Sequence, residues 1–137
     1  MFGTGVYLEQ LKSNAEKLGV EERVLFLGYN KDAMFYSSQF DVMVMPSYSE
    51  GFPLALFEVV QLKAPVVCSN IPVLQEIFKP NEVARFELNN IDAFYVAIKK
   101  AIENKAEFTN NALKRFEENY SPAIVSNKYL ELYQELI

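Results

Sequence analysis

A chain of 137 residues is long enough for one domain and too short for two, and half of its side chains are hydrophobic, so core material is ample. Its formal net charge of −5, with no run of Lys or Arg longer than two, argues against a phosphate-neutralising surface and so against nucleic acid as a partner. The chain has no His and one cysteine, which rules out a Ser-His-Asp site, a His-ligated metal and a disulfide framework.

In chain order, Leu8, Leu11, Ala15 and Leu18 recur at helical spacing, and Gly19 stands where a glycine stops a helix. Val24–Leu27 reads as a short buried strand ended by Gly28. Asp32 is placed to cap a short helix running through Ser38, and Asp41 precedes a second buried strand, Val42–Met45. Pro53 lies where a first helical turn tolerates proline, and the helix that follows ends near Lys63. A third strand is predicted at Val66–Cys68, a short helix at Val73–Phe78 and a weak fourth strand at Val83–Phe86. Helices then cover Ile91–Asn104, Glu107–Asn119 and Pro122–Leu136, the last opened by Ser121 as N-cap and Pro122 at the first position. Short apolar strands alternating with helices predict the α/β class, with a parallel sheet covered by helices on both faces. Cys68 belongs to the core of that sheet. No apolar run is long enough for a bilayer and none reads as a signal peptide, so a reducing, cytoplasmic setting is expected.

The richest stretch is PSYSEGFPLALFE, Pro46 to Glu58, with seven residues between its two glutamates. From Leu54 to Leu62 the only side chains that are not apolar are Glu58 and Gln61, which predicts a buried helix. A carboxylate in such a helix is costly unless something polar meets it, and a ligand is the favoured candidate. Backbone amides or Lys63 are the bland alternative, and Glu50 could equally be a surface-loop carboxylate.

With these elements placed, the chain resembles the C-terminal, donor-binding domain of a GT-B glycosyltransferase of the large retaining family 4, the glycosyl transferases group 1. The residues that carry the likeness are Gly3 and Gly5 after a strand, KLGVEERVLFLGY, DVMVMPSYSEGFPLALFE, KAPVVCSNIPVLQEI and the closing YSPAIVSNKYLELYQEL. The resemblance implies a Rossmann-like sheet with a nucleotide-diphosphate sugar at the carboxyl ends of its strands, where open α/β sheets bind ligands. It gives Glu50 the catalytic position, on the donor-sugar hydroxyls, and Glu58 the ribose hydroxyls, since a carboxylate accepts two hydrogen bonds from a vicinal diol. The amides of Gly51, Phe52, Leu54 and Ala55, at a helix N-terminus, suit the diphosphate. Gly28 and Tyr29 resemble the segment lining the base pocket, and Gly3, Gly5 and Glu76 are further donor-site candidates. Tyr29 reads first as rim or packing, Glu76 equally as a solvated carboxylate and Gly3 and Gly5 equally as strand-end punctuation; Ser69 and Asn70 follow a strand end within reach of the donor, and Asn70 is as easily a turn residue. No metal or other cofactor is implied, which suits a chain without a tight DxD pair.

A complete domain of this family begins two strands earlier, and its basic residues for the leaving group have no counterpart here. The chain therefore reads as a single partial domain, 1–137, with 121–137 as the crossover helix, lacking its first two strands and the N-terminal acceptor domain. It is expected to be inactive alone, with Val24–Leu27 pairing to Val42–Met45, to another chain, or poorly. Exposed strand edges and the apolar stripe of the last helix (Ile124, Val125, Tyr129, Leu132, Tyr133, Leu136) invite self-association. The full enzyme would serve bacterial surface polysaccharide or lipopolysaccharide synthesis, in the cytoplasm and peripherally at the inner membrane. The rival is a nucleotide-binding or regulatory remnant without turnover. A receiver domain fits poorly, because Asp41 precedes its strand.

Overall fold

The computed structural model describes residues 1 and 3–136. It comprises two compact units, Met1–Tyr36 and Ser37–Ile137.

In the first unit, helix α1 (Leu8–Lys17) turns Ala15 inward. It stops as its sequence predicts. Gly19 takes φ 63°, its N–H donates to the Glu16 carbonyl at 2.9 Å, and the Val20 N–H reaches back to Ala15 at 3.0 Å. Val24–Leu27 departs from expectation, because it forms no regular strand. Its hydrogen bonds go to the start of the chain: Leu27 N–H to Met1 O at 2.8 Å, the Met1 amine to Leu25 O at 2.6 Å, and Gly3 N–H to Gly28 O at 2.7 Å. Gly3 (φ 123°) and Gly28 (φ 62°) leave the extended region, so the ladder cannot lengthen. Only one side of the segment packs. Val24 and Phe26 are half-buried, whereas Leu25 and Leu27 are exposed. Helix α2 (Ala33–Ser37) falls at the unit boundary. Ahead of it the Asn30 side chain accepts from the Asp32 N–H at 2.8 Å.

The second unit is built on a parallel sheet of order β1-β2-β3, with β1 Met43–Met45, β2 Val66–Ser69 and β3 Ala84–Phe86. Met43 pairs with Val66, and Val67 with Ala84. Every residue of central β2 is buried, as a strand covered on both faces must be. Val66 and Cys68 point into a core shared with α3 (Leu54–Gln61), α4 (Pro72–Ile77) and α6 (Lys105–Asn119). Val67 points the other way, with Ala84 and Phe86, against α5 (Ile91–Glu103) and Phe108 of α6. Strand β1, read from sequence as buried, is half-buried throughout.

Phe57 of α3 is the hub of the first core. Its ring lies 4.8 to 5.6 Å from those of Tyr120, Phe52, Phe116 and Phe78. The last helix, α7 (Pro122–Glu135), buries no residue, and Tyr129, Leu132, Tyr133 and Leu136 of its predicted stripe are exposed. Ser121 precedes it as expected, but its hydroxyl donates back to Glu117 O at 3.1 Å and does not cap the new helix.

Candidate functional site

Three connections leave the carboxyl ends of the parallel strands: 46–53 after β1, 70–71 after β2 and 87–90 after β3. Parallel strands aim these loops at one edge of the sheet, the usual place for a ligand. Side chains tie them together. The buried Ser69 hydroxyl donates to Ser47 O at 2.5 Å, and Asn70 Nδ2 to Glu87 Oε1 at 2.5 Å. Tyr48 Oη donates to Asn89 Oδ1 at 3.1 Å.

Glu50 is half-buried in the first of these loops. It borders a pocket of about 250 Å³ with Tyr48, Ser49, Ile71, Pro72 and Val73, none of which carries a positive charge. Of the ion pairs among the described residues, none involves Glu50 or Glu58.

The helix after the loop overturns one expectation. α3 is not buried all round: Leu56, Phe57, Val59 and Val60 face the core, while Leu54, Ala55, Glu58 and Gln61 are exposed. These four recur at helical spacing along one stripe. Glu58 therefore meets solvent, and burial cost is no argument for a ligand there. What remains is the stripe itself, on which the Leu54 side chain is 65% exposed beside the free carboxylate.

Pro53 also differs from its predicted place. It is the N-cap of α3, not its first helical residue, with φ −83° and ψ 66°. Those angles make an inverse γ-turn, closed by the Leu54 N–H donating to Phe52 O at 2.9 Å. The Leu54 amide is thereby occupied. The amides of Gly51, Phe52 and Ala55 have no backbone acceptor among the described residues. Glu76 is exposed on α4.

In the first unit, Gly3 and Gly28 are brought into direct hydrogen bonding. Gly3 and Gly5 line a hollow of about 120 Å³ with Met1, Tyr7, Leu8, Leu11 and Phe26. Tyr29 is 82% exposed.

Among the described residues, the buried carboxylate is one the sequence gives no sign of. Glu82, 6% exposed, accepts the Lys79 N–H at 2.6 Å and lies 3.8 Å from Arg115 Nε. Arg115 in turn donates to Ile77 O at 3.0 Å, and Arg85 to Phe78 O at 2.9 Å, so two arginines serve the carbonyls where α4 ends. This cluster is structural. Cys68 is buried, and burial pushes its thiol up to about 12, with the Arg85 charge opposing, so it supplies no thiolate near neutral pH. Among the described residues no helix is long and apolar enough to cross a membrane.

Residues 1–120 match the family described as "Glycosyl transferases group 1". The chain is 29% identical over 134 residues to the O-antigen biosynthesis glycosyltransferase WclY of Escherichia coli, covering 98% of this chain and 38% of that protein. It is 35% identical over 106 residues to the E. coli UDP-Gal:alpha-D-GlcNAc-diphosphoundecaprenol alpha-1,3-galactosyltransferase, covering 75% of this chain and 27% of the relative. Among solved structures, a mutant of S. aureus TarM in complex with Fondaparinux, alpha-GlcNAc-glycerol and UDP superimposes with a TM-score of 0.85 at 25% identity, over 96% of this chain and 28% of that one. Anabaena HepE in complex with UDP and glucose has the same fold, with a TM-score of 0.88 at 19% identity over 98% of this chain and 39% of HepE. The chain thus spans about two fifths or less of the length of these proteins.

Proposed function

The chain belongs to the glycosyl transferases group 1, of GT-B type, and on that premise we propose that it forms part of the donor site of a retaining family 4 transferase. The observation that carries this reading is a pair of carboxylates, neither in an ion pair among the described residues, in the loop after β1 and on the helix that follows it. One is half-buried in a loop pocket and the other stands on the exposed stripe of the helix that follows. Glu50 would accept hydrogen bonds from the donor-sugar hydroxyls and Glu58 from the ribose diol. The amides of Gly51, Phe52 and Ala55 and the positive end of α3 would receive the diphosphate. Leu54 contributes its exposed side chain, since its amide is already bonded. Gly3, Gly5, Gly28, Tyr29 and Glu76 stay candidates on the family resemblance.

The reaction breaks the bond between the anomeric carbon and the diphosphate oxygen and forms one to the acceptor oxygen, whose proton leaves. Its transition state is oxocarbenium-like, and the departing diphosphate gathers negative charge. Here the chain's own residues orient the donor. The acceptor site and the cations that meet the leaving group belong, in this reading, to parts of the enzyme outside residues 1–137. The similarity to WclY supports a role in bacterial surface polysaccharide synthesis, and a cytoplasmic setting, peripheral to the inner membrane, is part of the proposal.

Calorimetric titration of the chain with UDP, GDP and ADP tests the reading. UDP comes first, because it is named for TarM and in the galactosyltransferase relative. One nucleotide should bind, and Glu58→Ala should weaken it about 10- to 100-fold through the loss of two hydrogen bonds to a charged group. The unfolding midpoint of that variant should stay put, because Glu58 is exposed. A folded chain that binds none of the three, or binds one equally well without Glu58, would overturn the assignment.

A further inference from the structure

The Glu50 loop is fastened at two consecutive residues ahead of Glu50. Ser47 is held through its carbonyl by Ser69, which is fully buried at the end of β2. Tyr48 is held through its hydroxyl by Asn89, which lies 41 residues away in the loop after β3. Asn89 is itself fixed. It adopts a left-handed conformation, φ 62°, inside a turn closed by the Asn90 N–H on Glu87 O at 3.2 Å. Asn90 then caps α5 by accepting the Ala93 N–H at 2.9 Å. Glu87 at the head of that turn takes the Asn70 amide, and Gln75 Nε2 of α4 donates to Asn70 Oδ1 at 2.9 Å. The Tyr48–Asn89 bond lies mostly in solvent, with the tyrosine 73% exposed, so it contributes little to packing. It joins the loop carrying Glu50 to the rigid start of α5.

We propose that Tyr48 and Asn89 are positioning residues for Glu50: their hydrogen bond holds the loop so that the carboxylate meets the donor sugar without first being ordered. This rests on the donor-site reading above and adds to it the device that aims its sugar-binding half. A carboxylate on a slack loop loses conformational freedom when it binds, whereas one on a pinned loop has lost it already. The nucleotide half of the site is carried by α3, whose seat in the core does not involve Asn89. Breaking the clasp should therefore erode the preference for nucleotide sugar over nucleotide and leave nucleotide affinity alone.

The test is calorimetric titration of the full chain with UDP and UDP-glucose, or with the corresponding pair should GDP or ADP be the nucleotide that binds. Wild type should favour the nucleotide sugar. Tyr48→Phe and Asn89→Gly should each weaken it about three- to tenfold, the range of one neutral hydrogen bond. The double variant should be no worse than either single one. Asn89→Asp retains the acceptor and should restore the preference. Asn89→Gly also suits the left-handed backbone, so a purely structural role predicts no loss of sugar preference from it. Absent nucleotide binding by wild type overturns the donor-site reading and the positioning role with it. Intact nucleotide binding overturns the positioning role alone if wild type shows no sugar preference, if the variants keep it, or if both affinities fall together.

Discussion

Replacing Phe57 by Ala should destabilise the second unit by about 4 kcal/mol, because deletion of a buried Phe ring leaves a cavity as well as losing its burial. Phe57 is 3% exposed, and its ring touches Phe52, Phe78, Phe116 and Tyr120 at centroid distances of 5.2, 5.6, 5.5 and 4.8 Å. Those neighbours come from the site loop, the end of α4, α6 and the residue after it, so no single movement closes the gap. Aromatic pairs of this kind add about 0.5–1.5 kcal/mol each beyond burial, which places the cost in the upper half of the usual 3–5 kcal/mol range. Urea unfolding followed by far-UV circular dichroism reads it. With a slope near 2 kcal/mol per molar urea, the midpoint should drop by about 2 M. Leu54→Ala is the control: the residue lies on the same helix but is 65% exposed, and its change should stay within about 0.5 kcal/mol. Equal shifts for the two variants would refute the assignment of inward and outward faces of α3. The exposed placement of Glu58 would fall with it.

Glu82→Ala should cost about 3 kcal/mol in the same assay, since it strands Arg115 and leaves the Lys79 amide without its acceptor; Glu82→Gln, which still accepts, should cost less. Lys63 holds a left-handed backbone, φ 55°, just past α3, and Lys63→Gly should raise the unfolding free energy by about 0.5–1 kcal/mol. The Cys68 thiol, raised by burial from 9.0 to about 12, keeps its proton in the folded chain while the unfolded chain loses it. Stability should therefore be intact below pH 9 and fall between about pH 9 and 12, and Cys68→Ala should flatten that slope. Labelling of Cys68 by a thiol reagent at pH 8 should accordingly require unfolding, and rapid labelling of the native chain would contradict its placement.

Most of the second unit was legible from local pattern. The apolar runs at 43–45 and 66–68 fall on strands because sheet faces covered by helices favour apolar side chains; in the first unit, Gly19 stops α1 because it accepts a positive φ. The orientation of α3 was harder to read. Leu54 and Ala55 look like core material, and only the spacing of Glu58 and Gln61, three apart, marked the stripe that faces out. Composition favoured a buried helix, and the helical period was the better guide.

Sequence by itself settled the order of strands and helices after Asp41, the parallel sheet and the block from Pro46 to Glu58, because these depend on neighbours a few residues apart. The tertiary structure alone decided which glutamate is buried and what holds the site loop. Glu82 meets Arg115, Arg115 meets Ile77 38 residues away, and Tyr48 meets Asn89 41 residues away. Each choice turns on where a distant donor or acceptor comes to rest, and that position exists only once the sheet has brought the loops after its strands together.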